Sequence, residues 1–194
     1  MSDQPRFPVT IFRRTVNRIQ YHHTYKPDYS NFNGDDHFDD LKAMDRYHEQ
    51  KRGWSDIGQN ITIFPDGLIG ICRPFDVTPA GIYGANKHAL CIEVYGNFDE
   101  GADKMTHAQA SACTFVGAAL SLEFDFTPDT DTVIYHHWWN SKGKRTNGSD
   151  GGAKSCSGTA FFGGNKLEDA EANLIPKIKK DKAVLLKGIE GGNI

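Results

Sequence analysis

The chain has 194 residues, enough for one hydrophobic core and short for two. Lys and Arg total 22 against 25 Asp and Glu, a formal net charge of −3, which argues against a general nucleic-acid binder because such a protein carries a basic excess. No apolar run approaches the roughly 18 residues of a membrane-spanning helix, so no membrane insertion is expected.

In chain order, the opening MSDQPRFPVTIFRR has neither an apolar h-region nor a small-residue cleavage site. It predicts synthesis in a cytoplasm without a signal peptide, with retention there or release by lysis. Short strands are expected at Val9–Phe12 and Arg18–Thr24. Asp35 to Arg52 predicts a helix, with Phe38, Leu41, Met44 and Tyr47 as one apolar stripe and Gly53 as its stop. Asn60–Phe64 and Leu68–Arg73 alternate apolar with polar residues around Pro65-Asp66-Gly67, which is hairpin chemistry. Ala89–Tyr95 predicts a central strand bounded by Gly96-Asn97. Thr106 to Glu123 predicts a helix capped by Thr106, and Thr132–His137 another strand. Ser141–Ala153 is polar, Gly-rich and expected to be flexible, with Lys142, Lys144 and Arg145 as solvated charge. Lys166–Lys182 predicts an amphipathic helix with Leu167, Ala170, Leu174 and Ile178 on one side, and a frayed tail from Lys187. Strands and helices mix along the chain, so the expected architecture is α/β, a mixed central β-sheet flanked by helices in one domain spanning 1–194.

Three polar features stand apart from this pattern. His22-His23 and His136-His137 each end a predicted strand, and Lys154-Ser155-Cys156 lies in a Gly-rich loop. Adjacent residues on a strand point to opposite faces, so one His of each pair can face a given pocket. Two imidazoles and one thiolate, with a fourth position left open, make a catalytic type of zinc site. The same residues also read as two core histidine pairs and an unrelated thiol, and spacing alone does not choose between these. Cys72, Cys91 and Cys113 sit in apolar runs and read as small buried hydrophobes; no CxxC pair exists. Cys156, two residues after a lysine in a polar loop, suits a ligand or nucleophile.

The blocks HHT, RGWSDIG, NITIFPDGLIG, ALCIEVYGNFD, HH and KSCSG occur in an order that resembles the zinc amidase family of peptidoglycan. That family includes phage amidase-type lysozymes, muropeptide amidases and animal peptidoglycan recognition proteins, and the resemblance runs from about residue 18 to 165. It implies an N-acetylmuramoyl-L-alanine amidase that cleaves the amide between muramic acid and the first L-alanine of the stem peptide. It implies a Zn2+ site of His22, His136 and Cys156, with Lys154 as the catalytic lysine. The substrate implied is peptidoglycan or a soluble muropeptide, attacked by a monomer acting as a phage endolysin or a cytoplasmic recycling enzyme.

Two departures qualify the match. The family's C-P-G reads Cys156-Ser157-Gly158, which alters loop stiffness. Many members carry a catalytic Tyr after G-W-x-D-I-G, where this chain has Gln59. Members lacking that Tyr use a Glu in the following strand, which matches Glu93. Glu is depleted in strands, and an unpaired buried carboxylate is expensive. Gln59 can still donate a hydrogen bond to an oxyanion. Trp138 could floor a sugar or peptide groove, Asn86 could bind the stem peptide or fix a loop, and Trp54 is read as structural. A non-catalytic peptidoglycan receptor on the same fold is the competing reading; retention of Cys156, both histidines and Lys154 disfavours it.

Overall fold

A computed structural model describes residues 14–149 and 154–191. Its framework is a five-stranded mixed sheet. The strands are β1 (Arg18–His23), β2 (Ile61–Ile63), β3 (Ile69–Ile71), β4 (Ala89–Val94) and β5 (Val133–Tyr135), in the spatial order β3-β2-β4-β1-β5. Pairings β2–β4, β4–β1 and β1–β5 are parallel, and the β2–β3 hairpin adds an antiparallel edge. The hairpin turns at Pro65-Asp66-Gly67, where Gly67 takes a positive φ of 88° and its amide donates to the Phe64 carbonyl at 2.9 Å. The strand expected at Val9–Phe12 lies outside the described residues.

One face of the sheet is apolar. Ile19, Tyr21, Ile61, Ile63, Ile92 and Val133 point there, under α2 (His107–Glu123), against which α4 (Ile175–Glu190) packs. Helix α2 starts at Thr106, whose hydroxyl accepts from the Gln109 amide at 3.0 Å. The Gln109 side chain then ties the ends of β2 and β4 together by donating to Ile63 and Tyr95 carbonyls at 3.0 and 2.9 Å. Gly117 of α2 has no Cβ because one would crowd the Tyr21 hydroxyl and Ile178 at 2.8 Å. The C-terminal helical segment opens with a short turn, α3 (Leu167–Asp169), passes through a π turn at Ala170–Leu174, and continues as α4. Ala170, Leu174 and Ile178 are fully buried, as the predicted stripe requires, but the helix runs on to Glu190 rather than fraying from Lys187. Among the described residues no helix is long and apolar enough to cross a membrane.

Helix α1 (His37–Arg52) flanks the hairpin edge. The Asp36 carboxylate accepts from the Phe38 and Asp39 amides at 3.0 Å, Lys51 and Arg52 close the last turn, and Gly53 ends it with φ 67°. Only half of its predicted stripe is real. Residues three apart drift by about 60° per step on a 3.6-residue helix, so Phe38 and Tyr47 end on opposite sides. Met44 is buried and Leu41 packs beside it over Phe64 and Tyr95, while Phe38 and Tyr47 are 64% and 51% exposed.

Candidate active site

The second face of the sheet is polar near the carboxyl ends of the strands. The β1–β4 register places His22 beside Glu93 and Gln20 beside Cys91. Paired residues on neighbouring strands point the same way, so these side chains form two adjacent rows. Strand β5 stops at Tyr135, and His136–Trp138 form a 3-10 turn rather than the predicted strand end. The turn carries His136 over the end of β1. Its Nδ1 lies 3.2 Å from Nδ1 of His22, and Cys156 Sγ lies 3.5 Å from that same nitrogen. Donor atoms of all three residues fall within 4.8 Å of one another. Tetrahedral zinc, with bonds of about 2.0–2.1 Å to nitrogen and 2.3 Å to sulfur, holds its donors about 3.3–3.6 Å apart. The cluster therefore fits a tetrahedral ion of the zinc type.

The other members of the two pairs turn elsewhere. His23 Nδ1 accepts from the Phe98 amide at 3.2 Å, and His137 Nδ1 donates to the Lys154 carbonyl at 2.6 Å. The loop bearing Cys156 is pinned on both sides. Asp99, in the turn after β4, accepts from the Ser155 hydroxyl at 3.0 Å and the Thr159 amide at 3.1 Å. Asn165 donates to the Ser155 carbonyl at 2.8 Å, and a Cβ at Gly158 would collide with the Phe98 backbone. Ser157 buries its hydroxyl without a hydrogen-bond partner among the described residues.

Burial sets the protonation states. It pushes His22 well below the usual imidazole range, helped by the neighbouring His136 and Lys154. It brings His136 down to about 4, with Lys154 adding to the effect. Both rings are neutral at pH 7, the state that ligates a metal. Burial drives the Cys156 thiol well up, with Glu93 adding to the shift, so a metal must displace its proton. Glu93 rises to about 7 because burial outweighs the nearby Lys154. Such a carboxyl is poised to give and take a proton near neutrality.

These shifts predict how the chelator-stripped protein responds to acid. His22, His23 and His136 bind protons in the unfolded chain below about pH 6.5 but resist them when folded, His23 and His136 down to about 4. Stability from these three is lost as pH falls through that window. Glu93 acts oppositely, since the folded state holds its proton up to about 7 and stability declines as the unfolded chain ionises above 4.5. Three groups outweigh one, so the melting temperature should rise from pH 4 to 6.5. The slope should flatten in His136→Ala, and a flat wild-type profile would contradict these assignments.

The cluster opens into a cleft of about 1040 Å³. Glu93, Lys154 and the three potential ligands line it, as do Tyr47, His48, Arg52 and Trp54. Trp54, read from sequence as structural, stacks on His48 with ring centres 4.8 Å apart and leaves 36% of its surface exposed on the cleft wall. The signal that could have found this wall is the aromatic and basic C-terminal end of α1, whose residues lie off the buried stripe.

Three predicted substrate contacts are not brought to the cleft. Gln59 is buried behind the cleft lining, its amide donating to Thr62 Oγ1 at 2.9 Å and facing Met44 Sδ at 3.5 Å, so the oxyanion role expected of it is not supported by its position. Trp138 is fully buried and donates its indole N–H to the Asn165 carbonyl at 2.8 Å; it is core, not a groove floor. Asn86 fixes a loop, accepting from the Gly81 amide at 3.1 Å. Cys91 and Cys113 are buried as expected, whereas Cys72 is half-buried beside Thr62. Lys142 and Lys144 are exposed, but Arg145 pairs with Asp131 at 2.5 Å and lies over Trp139. Gln20 was missed altogether, although a polar residue two before His22 on one strand shares its face.

Comparison with known proteins gives the family and the fold. A human N-acetylmuramoyl-L-alanine amidase is 29% identical over 85 residues, covering 41% of this chain and 14% of the human protein, so the chain spans a small part of that relative's length. Among solved structures, the N-acetylmuramoyl-L-alanine amidase LysC from Clostridium intestinale URNW superposes with a TM-score of 0.55 at 24% identity, over 90% of this chain and 88% of that one. Drosophila PGRP-LB superposes with a TM-score of 0.62 at 20% identity, over 83% and 82%. These structures share the mixed sheet and its flanking helices. The model of the family described as N-acetylmuramoyl-L-alanine amidase matches residues 12–159, a span that contains every potential ligand together with Glu93 and Lys154, and the chain belongs to that family.

Proposed function

We propose that this chain is a zinc-dependent N-acetylmuramoyl-L-alanine amidase acting on peptidoglycan or its soluble muropeptides, with residues 1–194 working as one domain. The observation that carries the reading is the convergence of His22, His136 and Cys156 donor atoms within 4.8 Å of one another in a cleft also lined by Glu93 and Lys154. His22, His136 and Cys156 would hold the ion. When bound, zinc supplies Lewis acidity toward a water molecule and an amide carbonyl.

The remaining chemistry belongs to the side chains. Glu93, half-buried and lining the cleft, takes the proton of the attacking water and passes it to the leaving amide nitrogen. Its raised pKa makes the second transfer as feasible as the first. The Lys154 ammonium, which lines the cleft beside the cluster, stabilises the oxyanion of the tetrahedral intermediate. The wall of Tyr47, His48, Arg52 and Trp54 offers aromatic faces and one fixed cation to the sugar or stem peptide. Retention of three ligands, a base and an oxyanion partner favours an enzyme over a receptor.

The test is incubation with a defined muropeptide, followed by mass spectrometry of the products. The expected result is a free sugar bearing its lactyl carboxylate and a peptide with a new L-alanine amino terminus, lost with a chelator and restored by zinc. Binding without cleavage by the zinc-loaded protein would instead establish a receptor.

A further inference from the structure

His22 meets the cluster through Nδ1, which leaves Nε2 as the nitrogen that carries the proton if Nδ1 is to ligate. That Nε2 lies 3.4 Å from Oε1 of Gln20, a fully buried residue on the same face of β1. The Gln20 amide is itself oriented from outside. Its Nε2 donates to the Ala85 carbonyl at 2.9 Å and to Asn86 Oδ1 at 3.4 Å, while Oε1 accepts from the Ile82 amide at 3.1 Å. A flipped amide would set N–H against N–H at Ile82 and oxygen against oxygen at Ala85, so one orientation survives. Asn86 is anchored in turn by the Gly81 amide. Gly81 closes over this edge so tightly that a Cβ would overlap Gln20 Oε1 and lie 3.0 Å from His22 Nε2.

We propose that Gln20, held by the loop 81–86, is a positioning residue that fixes His22 as its Nε2–H tautomer and so presents a bare Nδ1 to zinc before the ion arrives. A carbonyl oxygen facing Nε2 accepts a proton-bearing nitrogen and repels a lone pair. Without that acceptor the other neutral tautomer competes, with the proton on Nδ1 pointing at His136, and a ring in that form must rearrange before it ligates. Outer partners of ligating imidazoles commonly change metal affinity by about 10–100-fold. The functional meaning rests on the proposed zinc site, but the tautomer is a property of the chain alone.

Two readouts on the full chain decide it. In the first, long-range 1H–15N correlation at neutral pH on chelator-treated, 15N-labelled protein reports the His22 tautomer. Wild type should show Nε2–H, and Gln20→Leu should show a mixture or the Nδ1–H form. The second is zinc affinity by chelator competition, which should weaken 10–100-fold in Gln20→Leu. Should that variant not fold, Asn86→Ala, which frees one side of the Gln20 amide, is expected to move both readouts in the same direction by less. Nδ1–H in wild type overturns the proposal, as does an unchanged tautomer and unchanged zinc affinity in folded variants. Failure of wild type to bind zinc at all would sink the amidase reading while the tautomer spectra still judge Gln20.

Discussion

Glu93→Gln should lower kcat/KM by about 10²-fold or more while leaving zinc binding and fold intact, because the substitution keeps size and removes only the base. Glu93 is the one carboxylate on the polar face of β4, in register with His22 and lining the cleft. In wild type the rate should rise with pH as the carboxyl ionises, at or below about 7, since a base must be deprotonated to act and any added positive charge nearby favours its ionised form. The Gln variant should lose that limb of the profile. Near-normal turnover in Glu93→Gln would move the proton-transfer role to another group.

A larger loss is expected from Cys156→Ser. The hydroxyl does not ionise to a ligand as the thiol does, so zinc affinity should fall by more than the 10–100-fold of outer-shell changes, and hydrolysis should drop to the chelator-treated level. The loop itself should persist. Its anchors are Asp99 on Ser155 and Thr159, Asn165 on the Ser155 carbonyl, and the fit of Gly158 against Phe98, none of which involves the sulfur. Circular dichroism of the variant should therefore match wild type, and metal content should not. Undiminished cleavage by this variant would remove Cys156 from the site.

Much of this arrangement was legible in local sequence. Strand β1, the Pro65-Asp66-Gly67 hairpin, the Thr106 cap and the central position of β4 follow from period, turn chemistry and capping, which are local signals. The three residues of the cluster were legible because family blocks recur in order; the residues alone left two core histidine pairs and an unrelated thiol open. Features that depend on packing were less readable. Phe38 and Tyr47 joined the predicted α1 stripe by apolarity, though three-residue spacing cannot stay on one helical face. His136 was placed on a strand because its neighbours are apolar, whereas the chain leaves the ladder after Tyr135 and turns, although β1 runs on to His23. Gln59 and Trp138 were assigned outward roles that only their tertiary hydrogen bonds, to Thr62 and Asn165, revoke. Trp54, read as structural, packs on His48 and against Gly58 and also lines the cleft, which nothing local shows.

The coordination of the ion is the central claim, and X-ray absorption at the zinc edge on the loaded, full-length protein addresses it directly. One zinc per chain with a single sulfur at about 2.3 Å and two imidazole nitrogens at about 2.0–2.1 Å is the expected spectrum. A shell without sulfur, or one that is unchanged when His22 and His136 are both replaced by alanine, would contradict the account.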